Sequence, residues 1–112
     1  MRFEWDEVKN ERNLAKHNVS FEAAALAFDD VDSLTQRDES TGEEERWITL
    51  GSIGSNTVLF VVHMCLEQND EEVIRIISAR AATRHERSAY EEAKQGTKTR
   101  RRRDRGYQRR RY

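Results

Sequence analysis

Phe21, Ala24, Ala25 and Phe28 recur at i, i+3, i+4 and i+7, the period of an amphipathic helix, and Ser20 just before them is a preferred N-cap. A shorter helix is predicted ahead of it, capped by Asp6 and running to about His17. Val8, Leu14 and Ala15 supply only a thin apolar stripe there, and Asn18 suits the left-handed residue that ends helices. Residues 2–5 precede it as a short extended opening.

After the acidic stretch 29–32 the pattern changes to strands. Residues 33–37 read as a short edge strand, and 38–44 as a polar loop. Residues 46–52 (RWITLGS) and 57–64 (TVLFVVHM) flank a turn signal at 53–56, a hairpin arrangement. A second acidic turn is predicted over 67–72, then a last strand over 73–79 (VIRIISA). These strands are apolar on both faces and belong in the middle of a covered sheet. Thr83 and Glu86 form a capping box that opens a third helix to about Lys94, with Tyr90 and Ala93 able to pack on the sheet. Gly96 ends the domain. The order is strand, two helices, a three- to four-stranded antiparallel meander and a C-terminal helix: an α+β domain over residues 1–95.

The chain has 112 residues, 36% hydrophobic and 37% charged, with a formal net charge of −1. That small net charge pools two unlike segments. Residues 94–112 hold ten basic residues against Asp104 alone, and residues 1–93 hold ten basic against twenty acidic ones, leaving +9 and −10. The composition therefore predicts a disordered arginine-rich tail over 96–112 on an acidic body. The tail either grips RNA, with Arg101 and Arg102 on phosphates and Tyr107 and Tyr112 stacking on bases, or folds back on the body electrostatically. A lone cysteine, Cys65, excludes an intrachain disulfide and fits a reducing compartment. No signal-peptide pattern or run of ~20 apolar residues is present, so the expected setting is the cytoplasm, without a membrane partner.

Candidate chemistry centres on Arg75 and Arg80. An arginine in an apolar strand needs either an acidic partner or a ligand, and its guanidinium matches phosphate oxygens two at a time. Five positions separate them, so a regular strand places them on opposite faces unless it ends or twists near Ser78. Arg46 and Glu45 lie at the start of the first meander strand, as either a solvated strand end or a cation and general base. His17, beside Lys16 at a helix end, either shuttles protons or caps carbonyls. His17, His63, His85 and Cys65 lack metal-ligand spacing, and no glycine-rich phosphate loop, G-x-S-x-G or H-E-x-x-H occurs, so neither a metal nor an organic cofactor is expected.

Several segments together resemble the BrnT-type toxins of bacterial type II toxin–antitoxin systems. They are Phe3-Glu4-Trp5-Asp6, the run from Asn13 to Glu22 (NLAKHNVSFE), Glu44-Glu45-Arg46-Trp47-Ile48-Thr49-Leu50-Gly51, Val61-Val62-His63, and RIISARAATR from Arg75 to Arg84 with Glu86 and Tyr90. The resemblance implies a RelE-like fold and a metal-independent endoribonuclease that inhibits translation. It also implies a cognate DNA-binding antitoxin, ribbon-helix-helix-like in type, through which operator DNA is reached, and it allows a homodimer within that complex. On this reading Arg75 and Arg80, assisted by Arg46, stabilise charge on phosphorus, while His17 or Glu45 moves protons. Lys16 and Arg84 then join the tail arginines as RNA contacts. The chain departs from the family at Asn18, usually glycine, at Ala23, usually glutamate, and at Met64-Cys65-Leu66, where many members carry a basic residue. The alternative is a non-catalytic module that binds only an antitoxin or nucleic acid.

Overall fold

The computed structural model describes residues 1–40, 42 and 45–100. Five strands form one mixed sheet in the order β1-β5-β4-β3-β2. The strands β2 (Leu34–Arg37), β3 (Trp47–Ile53), β4 (Thr57–Gln68) and β5 (Glu71–Ala81) are the antiparallel meander, and β1 (Arg2–Glu4) adds to the far edge of β5 in parallel. The helices are α1 (Glu7–His17), α2 (Phe21–Leu26), continued by a 3-10 turn over Ala27–Asp29, and α3 (Arg84–Arg100). Among the described residues no helix is long and apolar enough to cross a membrane.

The helix boundaries follow from their caps. Asp6 accepts from the N–H groups of Val8 and Lys9, and Ser20 Oγ accepts from Ala23. Asn18 takes the left-handed conformation, φ 60°, and its N–H bonds to the Leu14 carbonyl. At the start of α3, Thr83 N–H donates to Glu86 and Glu86 N–H to Thr83 Oγ1, the reciprocal capping box.

Both faces of the sheet are covered, though unequally. On one face Phe21, Ala24, Ala27 and Phe28 pack on Leu59, Val61, Ile74, Ile76 and Ala79. Gly51 is required there: a Cβ at this position would stand 2.3 Å from the carbonyl oxygen of Ala27, so the 3-10 turn lies directly on the β3 backbone. On the other face α3 brings Tyr90 and Ala93 onto Leu34, Leu50, Val58 and Phe60. Asp30 ties the two layers at the sheet's end, accepting from the Ser52 N–H and from the Tyr90 hydroxyl. Burial and the Asp30 carboxylate push the Tyr90 phenol well above its ordinary range.

Four expectations need correction. The apolar stripe of α1 does not face the core: Val8 is 56% and Leu14 47% exposed, and the buried positions are Asn10 and Asn13. The reason is that α1 lies along a strand edge with backbone groups to satisfy, so amides outcompete aliphatic groups there. The acidic segment 67–72 is mostly strand; only Asn69 and Asp70 turn, at φ 52° and 65°, as a tight two-residue hairpin requires. The last strand accordingly runs from Glu71 to Ala81. Finally, α3 continues through Gly96 to Arg100. Residues 101–112, with Arg101 and Arg102, lie outside the described residues, as does Glu44.

Candidate functional site

The segment from Arg75 to Arg80 is not a regular strand. Val62 pairs with Ser78 and His63 with Ile76, leaving Ile77 as an extra residue in β5. This β-bulge shifts the alternation by one. Arg75 stands opposite Met64 and Arg80 opposite Phe60, four apart on β4, so the two arginines share a face of the sheet. It is the face that α3 covers at one end only.

The two are held differently. Arg75 reaches across the β1–β5 pair to Glu4, with Nη1 2.8 Å from Oε2 and 42% of its side chain exposed. Arg80 binds Glu86 through both terminal nitrogens, at 2.9 and 3.0 Å, donates to the Ala81 carbonyl, and lies 3.8 Å over the Phe60 ring. A bidentate carboxylate and an aromatic face engage that guanidinium on both counts. Arg80 therefore fastens the first turn of α3 to the sheet.

Glu86 serves both Arg80 and the capping box. Burial raises its carboxyl, but the hydrogen bonds from Arg80 and Thr83 outweigh that and hold it below the ordinary glutamate value. A depressed carboxyl contributes stability above its unfolded-state value and loses it as pH falls through the folded one. Glu86→Gln should therefore cost about 1–2 kcal/mol near neutrality. In urea melts the gap to the unmodified chain should close as pH drops below the glutamate range; a gap constant with pH would contradict this role.

Beside the bulge, the outer edge of β5 has no strand neighbour, because β1 ends at the Glu4–Arg75 pair. The α1 helix takes its place. Asn13 donates to the carbonyls of Ala79 and Val19, both at 2.8 Å, and accepts from the Ala79 N–H at 3.1 Å, imitating a strand partner. Asn10 accepts from Phe21 N–H and donates to Glu7 and Glu22, which fixes α2 against α1. Between α1 and the bulge runs a groove of about 300 Å³, lined by Lys16 and His17 on one side and Ile77 and Ser78 on the other. Two expected residues thus meet the Arg75–Arg80 segment midway between its arginines. Lys9 and Arg12 line the same groove and stand outside the sequence expectation. Their spacing with Lys16, i, i+3 and i+7, is the signal that points to them.

The remaining candidates sit elsewhere. Arg46 precedes β3, with β4 between it and β5; its carbonyl accepts the Asp38 N–H. Hydrogen bonds from Ser40, with a smaller contribution from the Arg46 charge, hold the Asp38 carboxyl low. Glu45 is exposed and pairs with Arg37 at 3.8 Å, on the β2 side of the sheet, and is not brought into the groove. Arg84 is the exposed first residue of α3. His63 is fully buried; its Nε2 meets Thr49 Oγ1 at 2.8 Å, which meets Thr35 Oγ1 at 2.8 Å, and its ring makes a T-shaped contact with Phe28.

A family model described as "Ribonuclease toxin, BrnT, of type II toxin-antitoxin system" matches residues 5–86. The match ends in the first turn of α3. The crystal structure of the Brucella abortus ribonuclease toxin BrnT is similar to this chain, with a TM-score of 0.56 and 25% identity, over 75% of this chain and 99% of that one. No curated protein sequence matches.

Proposed function

The chain belongs to the BrnT family of ribonuclease toxins of type II toxin–antitoxin systems, and on that premise we propose that it is a metal-independent endoribonuclease working at the groove beside the β5 bulge. The observation that carries this reading is the meeting of His17 and Lys16 with Ser78, between two arginines that the bulge turns to one face.

In the proposed reaction the 2′-oxygen of a nucleotide bonds to its neighbouring phosphorus, losing its proton to His17, while the bond from phosphorus to the 5′-oxygen breaks and that oxygen takes a proton from water. Proton transfer of this kind is worth about 10²–10⁴ in rate. Arg75 exchanges Glu4 for the phosphate and neutralises its developing charge, and Lys16 adds a second cation. Arg80 positions α3, with Arg84 an outlying RNA contact. His17 rather than Glu45 is assigned the proton because Glu45 is committed to Arg37 outside the groove. A cognate ribbon-helix-helix-like antitoxin would neutralise the toxin and carry it to operator DNA, in the cytoplasm where its RNA substrate lies.

The purified chain, given single-stranded RNA and excess chelator, should leave products ending in 2′,3′-cyclic phosphate and 5′-hydroxyl. Loss of cleavage on chelation, or products bearing 5′-phosphate, would overturn the mechanism.

A further inference from the structure

Most cations of residues 1–93 are tied to a partner. Arg2 is tied to Gln68 and Glu71, Arg37 to Glu45, Arg75 to Glu4, Arg80 to Glu86, and Arg87 to the Asn56 carbonyl. With twenty acids against ten bases in residues 1–93, an acidic partner is the default for any cation there. Arg84 at the start of α3 breaks that pattern singly, and Lys9, Arg12 and Lys16 break it together. All three are exposed, and among the described residues their side chains make no hydrogen bond or ion pair. They line one groove, and no acidic side chain lines it with them.

Helical spacing sets the three in a stripe about 10 Å long, ending at Lys16 beside the bulge. On a body of net −10, which repels a polyanion at distance, this is a local reversal of sign aimed at one place. We propose that Lys9 and Arg12, with Lys16, form a phosphate track that lays single-stranded RNA along α1 and delivers it to the β5 bulge. The track deepens the ribonuclease reading and rests on it for the identity of the strand. Its contacts are to the backbone, so it contributes affinity and register without sequence preference.

The test is the double variant Lys9→Gln/Arg12→Gln of the full chain, against Arg2→Gln/Arg87→Gln, which removes the same charge elsewhere. Binding of a labelled 2′-O-methyl oligoribonucleotide, which resists attack by a 2′-oxygen, is followed through a salt series. Two lost phosphate contacts should make the slope of log affinity against log salt shallower by about 1.4 in the groove variant. On cleavable RNA the loss should fall on KM rather than kcat. A groove variant whose slope and affinity equal those of the control overturns the track, even if the unmodified chain cleaves RNA. A shallower slope in a chain that never cleaves upholds the track and removes the ribonuclease reading instead.

Discussion

Arg75→Ala should slow RNA cleavage by about 10²–10³-fold, the usual consequence of deleting one group that stabilises charge in a transition state. Arg75 is the arginine with freedom to act. Its partner Glu4 lies on a three-residue edge strand, and 42% of the Arg75 side chain is exposed, so exchanging a carboxylate for a phosphate disturbs little. For the same reason the fold should barely notice the change, since ion pairs this exposed contribute about 0–1 kcal/mol. Arg75→Lys should recover only part of the rate, because an ammonium keeps the charge but not the planar fork. Single-turnover cleavage alongside a thermal melt separates the effects. An undiminished rate in the alanine variant with an unchanged melt would remove Arg75 from the reaction.

The largest loss of stability should come from Asn13→Leu. The substitution keeps the helix and similar bulk, yet it strands the buried N–H and carbonyl of Ala79 and the half-buried carbonyl of Val19. Each stranded group costs about 1–3 kcal/mol. A total of about 3 kcal/mol or more would be a large part of the ~5–15 kcal/mol typical of a domain. The urea midpoint should fall sharply, and an unmoved midpoint would show that the β5 edge is satisfied by other means. Cleavage should suffer along with stability, because the same clamp holds His17 against the bulge.

What was legible in the sequence, and what was not, divides along the range of the interaction. Asp6, Ser20, Asn18, Thr83 and Glu86 were all readable because a cap bonds to backbone within a few residues of itself. The Phe21, Ala24 and Phe28 stripe was readable because period alone selects its inward face. The inward face of α1 was not, since Asn10 and Asn13 look like solvent-facing residues until the bare edge of β5 is beside them. The tight turn at Asn69 and Asp70 was masked by the acids on either side, which belong to strands. At the site, the choice of Glu4 for Arg75 and Glu86 for Arg80 among so many acids depends on strand pairing and helix entry, which no local spacing reveals. Lys16 and His17 reach the Arg75–Arg80 segment for an equally tertiary reason.

The extra residue at Ile77 makes the candidate site depend on arithmetic as well as chemistry. Point substitutions throughout β5 leave the count between Arg75 and Arg80 untouched, so the two share a face only while the bulge absorbs the odd residue. Losing one residue from that interval would restore an even ladder with both arginines still on one face, whereas a regular ladder over the present count would send one of the two through the plane of the sheet, with every side chain of the site still present in the chain. A homologue is therefore better judged by whether a bulge accompanies an odd interval between these arginines than by which residues fill it.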